Sequence, residues 1–375
     1  MLTSFDDYPC HQTSDPVGRP ASSDPNHYDR YFFNGYTRDS SVFFAVAMGL
    51  YPNRQVIDAS FSVIEHDGHD GVQSSVNVSG RAPTDRRHTA VGPIKIDVIE
   101  PLHQLKVTVT KTTELGLAAE LTFTSRTAAI EEPKFERTVD NRVFFDYTRL
   151  TQFGTWHGWI EISGRRHVIG TANTWGCRDR SWGIRPVGEQ LNTGAPTGIP
   201  QFYWLWGPTN FDDCAMHFSV NETDKGVRWH YTASRSPLGA GEHSTYRDAR
   251  QSIEWTPGTR HAASATVELH HHVVREGVTT LAYRPLYPFY MLGIGYGHPT
   301  YSHGRWHGDV TTNEEQFNLR ECHPSDPKHF HIQALCEVTM TLPDGTQSVG
   351  QGILEQFVIG AHNPSRLTGI IDVAP

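Results

Sequence analysis

The sequence predicts an all-β protein made of antiparallel sheets closed into barrels or sandwiches. Three observations carry that prediction. Short stretches alternate strictly between apolar and polar residues, turns containing Gly, Pro and Asn separate them, and no stretch has the periodicity of a long amphipathic helix. Successive side chains of a strand point to opposite faces, so strict alternation yields one apolar face and one polar face.

Residues 1–28 are rich in Asp, Pro, Ser and His, have no periodicity and read as an N-terminal arm. The most apolar run, VFFAVAMGLY (42–51), is about half the roughly 20 residues of a spanning helix, so membrane spanning is not expected. In VIDASFSVI (56–64), Ala59, Phe61 and Val63 alternate with Asp58, Ser60 and Ser62. QLKVTVTKT (104–112), IKIDVI (94–99) and ELTFTS (120–125) follow the same rule. GEQLNTGAPTGIP (188–200) has almost no apolar content and reads as a linker between two β-domains, 29–187 and 201–375. The second half repeats the style in ATVELH (265–270) and LCEVTMTL (335–342).

Composition narrows the function. A chain of 375 residues with 37% hydrophobic, 11% aromatic and 19% charged residues packs into one large or two medium domains. A net charge of -9 without a basic cluster argues against nucleic acid as partner. MLTSFDDYPCHQTSDP at the start shows no signal-peptide pattern, and five scattered cysteines read as free thiols, so a reducing cytoplasmic setting is expected. There is no GxSxG elbow, P-loop or HExxH, and no GxGxxG in a strand-to-helix context. Hydrolase, kinase and nicotinamide-dehydrogenase readings are disfavoured, and no cofactor is expected.

Three constellations stand out. CRDRSWGIRP (177–186) crowds three arginines and an aspartate around a tryptophan. On a strand, Arg178, Arg180 and Trp182 share one face while Asp179 and Ser181 take the other. Asp179 is then either an acid, base or charge anchor, or part of a buried Arg–Asp network joining the domains; a cationic neighbour lowers its pKa and makes it a poor donor at neutral pH. QFYWLWGPTNFDD (201–213) places Phe202, Trp204 and Trp206 opposite Tyr203 and Leu205, as an aromatic wall for an apolar ligand or as plain barrel core. Asp212 and Asp213 close that stretch as acids or as turn caps. RPLYPFYMLGIGYGHPTYSHGRWHGDV (284–310) gathers Tyr290, Tyr296, His298, His303, Trp306 and His307 on a bent segment. Its histidines suit general acid/base work or structural hydrogen bonding, and no metal is assigned. His270, His271 and His272 alternate faces and read as turn histidines. Glu355 in GILEQF is expected to pair with an arginine of 178–185, because a buried charge must be neutralised.

FGTWHGWIEISGRRHVIGTANTWGCRDRSWGIRP (153–186) resembles the segment ending in the RDHSWG signature of the hydroxyneurosporene synthase (carotenoid hydratase) and AttH-like superfamily. FNGYTRDSSVFFAVAMGLYPNR (33–54), GIGYGHPTYSHGRWHG (293–308) and GILEQFVIGAHNPSRLTGIID (352–372) resemble its other signatures, in the same order. The resemblance implies two lipocalin-like β-barrels side by side with an apolar cavity, in a family whose members hydrate, cyclise or fold terpenoid-like substrates. Arg180 departs from the pattern, standing where His is common.

The expected function is therefore a cofactor-independent enzyme acting on a hydrophobic terpenoid or steroid-like molecule by hydration, dehydration, isomerisation or cyclisation. Asp179 with Arg178 organises the site, while His298, His303 or Tyr296 exchanges the proton. Trp204 and Trp206 shape the cavity, and Trp182, Tyr203, Tyr290 and Trp306 line it. A lipocalin-like carrier or sensor is the second reading, and a substrate-folding pericyclase the third. The only partner expected is the small molecule, with a homodimer left open.

Overall fold

A computed structural model describes residues 20–187, 195 and 200–375. Most of the expected arm, residues 1–19, and all of the expected linker except Ala195 and Pro200 lie outside the described residues. The chain is all-β, with two antiparallel sheets, one of them nearly barrel-shaped. Every alternating stretch named above falls on a strand, although QLKVTVTKT and LCEVTMTL run past their strand ends at Val109 and Thr341, and the helical pieces are single 3-10 turns. Among the described residues, no helix is long and apolar enough to cross a membrane.

The chain divides into two compact units, Met1–Thr193 with Leu292–Leu319, and Gly194–Met291 with Arg320–Pro375. The first unit therefore takes back a segment from deep in the second half of the sequence. Its sheet starts as a meander of β1 (His27–Thr37), β2 (Val42–Tyr51), β3 (Val56–His66) and β4 (Gly71–Arg81). The free edge of β1 pairs with the Thr174–Ile184 strand, which pairs in turn with the long Arg142–Ile162 strand. The free edge of β4 pairs with the returning Val310–Asn318 strand.

Alternation on these strands separates two faces. The apolar face gathers Tyr31, Phe33, Phe44, Phe61, Phe123 and Trp156 into one buried core. Trp156 is its hub, with ring centroids 5.7 Å from Phe33, 5.2 Å from Phe44 and 5.3 Å from Phe123. The indole N–H donates to the Asn34 carbonyl at 2.9 Å, so the one polar atom of this side chain is satisfied. The opposite face is polar yet also buried: Ser62, Gln73, Ser75 and Asn77 are all within 1% of full burial. β2 is consequently buried along its whole length, which is why it reads as a continuous apolar run.

The second unit has a ten-stranded sheet in which Phe202–Trp206 lies between Cys214–Glu222 and Gln347–Ile359. Cys177, Cys214, Cys322 and Cys336 are buried and unbridged.

Candidate active site

The polar face of the first sheet carries a cluster of ionisable groups: Asp58, Arg30, Asp179 and Arg149. Pairing across β3, β2, β1 and the next two strands sets Asp58, Gly49, Arg30, Ser181 and Arg149 in one continuous row. The neighbouring row runs Ser60, Ala47, Phe32, Asp179 and Thr151. Residues separated by more than a hundred positions are thereby placed strand-width apart on one surface.

Segment 292–309 packs on this face. The Gly304 N–H donates to Asp58 Oδ2 at 2.6 Å, and Ser79 Oγ donates to the Arg305 carbonyl at 2.6 Å. Gly293 lies so close to the sheet that a Cβ there would meet Gln73, Ser75 and Ser62 side chains at 2.4–2.6 Å. His303 Nδ1 accepts from Arg30 Nη1 at 2.8 Å, and its Nε2–H donates to the Ile294 carbonyl at 2.8 Å. A guanidinium can only donate and a carbonyl can only accept, so this imidazole is held neutral with its proton on Nε2. Tyr296 stands edge-on to His303 with centroids 4.4 Å apart, and the Arg30 guanidinium lies 4.8 Å from the Tyr296 ring centre.

Asp58 is half-buried, and desolvation pushes its carboxyl up to about 6, against the pull of Arg30, the Gly304 N–H, Tyr51 and Arg185. Tyr51 donates to Asp58 Oδ1 at 3.3 Å, and burial holds its own pKa well above the usual phenol value, so it stays a neutral donor. Gly49 makes this possible, because a Cβ there would lie 2.3 Å from the Tyr51 hydroxyl. Arg185 lies over Tyr28 at 4.5 Å and within 5.9 Å of the Tyr296 ring centre. Burial raises Tyr28 to about 12.

Two further arginines are already neutralised. Arg149 binds both oxygens of the buried Glu132, at 2.7 and 2.6 Å. Arg180 pairs with Asp29. Arg30 and Arg185 both act on Asp58, so protonation of Asp58 leaves their positive charge facing the site.

The expected residues divide cleanly. Asp179, Tyr296 and His303 belong to this cluster; Asp179 acts electrostatically on Tyr28 and Arg149. Arg178 does not, since with Arg180 it points to the opposite, core face, alongside Phe33 and Tyr31 in register. Its Nε–H donates to Gln152 Oε1 at 2.9 Å. Arg180 pairs with Asp29 on the neighbouring strand β1. Trp182 lies on that same side of its strand and is half-buried. His298 Nδ1 accepts from the N–H groups of Thr300 and Tyr301 at 3.1 and 2.8 Å, while Nε2 faces Glu315. His307 bonds the Thr300 carbonyl, and Trp306 is 47% exposed under Arg81. Tyr203, Trp204, Trp206 and Tyr290 belong to the second unit. There Glu355 accepts from Trp204 Nε1 at 3.0 Å, His331 Nε2 at 2.8 Å and Gln333 Nε2 at 2.7 Å. The expected pairing of Glu355 with an arginine of 178–185 is thus replaced by neutral and imidazole donors of its own sheet. Trp206 donates to His217, and Tyr290 packs against His329 at 4.9 Å.

Sequence reasoning does not single out Asp58, Arg30 or Tyr51, and reaches Arg185 only as the third arginine of CRDRSWGIRP. The usable signal is the charge pair in HYDRYFF (27–33), where Asp29 and Arg30 stand adjacent among aromatics, as the charges of CRDRSWGIRP do.

Among solved structures, the fold is similar to kievitone hydratase from Nectria haematococca, with TM-score 0.49 and 9% identity over 88% of each chain. It is also similar to CghA, with TM-score 0.47 and 12% identity over 89% of this chain and 88% of that one, and to CghA with Sch210972 at the same score and identity. No curated protein matches the sequence. The family model of DUF8625, a family of unknown function, matches residues 2–368, and the chain belongs to that family.

Proposed function

We propose that the protein is an enzyme that moves a proton on a hydrophobic small molecule, using its own side chains, with Asp58 as the acid and base. The observation that carries this reading is the Asp58 carboxyl, half-buried and raised to about 6, between the Tyr51 hydroxyl, the Gly304 N–H and Arg30. A carboxyl tuned towards neutrality loads and releases a proton within the working pH range, which an ordinary aspartate near 4 does poorly.

The electrostatics favour one class of transition state. With Asp58 protonated the group is positive, which suits an oxygen gaining negative charge and disfavours a carbocation. Arg30 has Nε and Nη2 buried without hydrogen-bond partners among the described residues, a donor set suited to a carbonyl or phenol oxygen. The reaction is then dehydration, hydration or isomerisation next to a carbonyl. Asp58 exchanges the carbon-bound proton, Arg30 holds the oxygen, and Tyr28, Tyr296 and Tyr147, whose ring centre lies 6.1 Å from that of Tyr28, supply an aromatic surface. His303 positions Arg30 and does not carry the proton, because both its nitrogens are engaged.

A carrier without turnover is the second reading, favoured by that same engagement of His303. Incubation in deuterated water with a panel of isoprenoid and aromatic enones, read by mass spectrometry, separates them. Conversion or deuterium uptake that disappears in Asp58→Asn supports the enzyme. Binding across the panel with neither conversion nor uptake supports the carrier.

A further inference from the structure

The second unit holds a cavity of about 510 Å³ that the proposed reaction does not use. Glu222, His362 and Ser365 lie on its wall in hydrogen-bonded sequence. His362 Nε2 is 2.9 Å from Glu222 Oε2, and His362 Nδ1 is 2.7 Å from Ser365 Oγ. The carboxylate accepts, so Nε2 carries the proton, Nδ1 presents its lone pair and the serine hydroxyl donates to it.

We infer that Ser365, His362 and Glu222 form a nucleophile, base and orienting acid for acyl transfer from a small carboxylic ester. The absence of a GxSxG elbow does not oppose this, because such triads are defined by geometry and roles and recur in different chain orders. Here the order is Glu, His, Ser.

Several features fix the imidazole as a base. Glu222 is itself held, since Gln251 Nε2 donates to its Oε1 at 2.5 Å. The Tyr203 ring stacks on His362 with centroids 4.0 Å apart, which fixes the plane of the ring. His362 and Glu222 are buried while Ser365 is half-buried on the cavity wall, so the nucleophile is the most exposed of the three to a ligand. His362, at the N-cap of the Asn363–Ser365 turn, makes no side-chain capping bond to the backbone, so helix capping accounts for neither the serine–imidazole bond nor the buried glutamate on the far nitrogen. The backbone N–H groups of Ser365 and Arg366 are taken by the His362 and Asn363 carbonyls. Arg366 lines the same wall and supplies the positive charge for a developing oxyanion.

The steps balance with water as the only co-reactant. Ser365 Oγ attacks the ester carbonyl as its proton passes to His362 Nδ1. The C–O bond to the alcohol breaks, and the alcohol leaves with that proton. Water then gives a proton to His362 and its oxygen to the acyl carbon, releasing the acid and restoring the serine.

The test is reaction of the full chain with a fluorophosphonate, which forms an Oγ–P bond and expels fluoride, followed by peptide mass spectrometry. The expected result is one labelled serine, Ser365, with no label in Ser365→Ala. Glu222→Gln, whose imidazole loses its fixed tautomer, should label on the order of 10²-fold more slowly or worse. Absence of label on the wild-type chain overturns the inference without reference to any variant. So does a label that persists in a Ser365→Ala protein of wild-type circular dichroism.

Discussion

Asp58 and Glu355 are both carboxylates in the interior of a β-sheet protein, and their environments drive them in opposite directions. Burial raises each. At Glu355 the hydrogen bonds from His331, Gln333 and Trp204 outweigh that effect, and its pKa falls below the usual carboxylate range. At Asp58 the Gly304 N–H, the long Tyr51 bond and the Arg30 field are not enough, and it rises to about 6. Burial alone therefore does not mark a proton donor. The number and quality of donors around the carboxyl decide whether it anchors structure or exchanges protons.

The largest expected effect breaks the contrast at its catalytic end. Asp58→Asn should lower turnover by about 10²–10⁴-fold with the fold retained, measured as product formation against circular dichroism. Next comes the structural carboxylate. Glu355→Ala leaves the Trp204, His331 and Gln333 donors without their acceptor and should cost about 2–4 kcal/mol in urea unfolding.

The pH dependence of stability sharpens the comparison. A folded-state pKa raised from 3.8 to about 6 means that Asp58 binds more protons folded than unfolded between those values. Its contribution is fully present below about pH 4 and lost as pH rises through about 6, a change of at most about 3 kcal/mol. Asp58→Asn should accordingly be more stable than wild type at pH 7, with the gap closing at pH 4. For Glu355, with a depressed folded pKa, stability is present above the unfolded value and lost as pH falls. The smallest effect is a control: Asp309→Ala removes an ion pair whose side chains are 58% and 83% exposed and should shift stability by less than about 0.5 kcal/mol.

Much of the fold is legible in the order of residues. The alternation in VIDASFSVI places Ala59, Phe61 and Val63 in the core and Asp58, Ser60 and Ser62 opposite. The same rule separates Arg178 and Arg180 from Asp179 and Ser181. What alternation does not show is that the polar face is also covered, because a polar residue facing water and one facing a packed polar layer leave the same pattern. For that reason nothing in the pattern distinguishes Asp58 from any other polar-face residue.

Strand identity and the division of side chains between two faces are local properties of an extended backbone, and they follow from the sequence alone. Register is not local. That Asp58, Gly49, Arg30, Ser181 and Arg149 share one row depends on how distant strands slide against each other, and a one-residue slip would send every side chain to the other face. The return of residues 292–319 to the first unit is likewise a tertiary fact. It brings Gly304, His303 and Tyr296 to a carboxylate some 240 residues earlier. Burial in the folded chain raises the Asp58 pKa, and so turns an unremarked aspartate of a strand into the candidate proton donor.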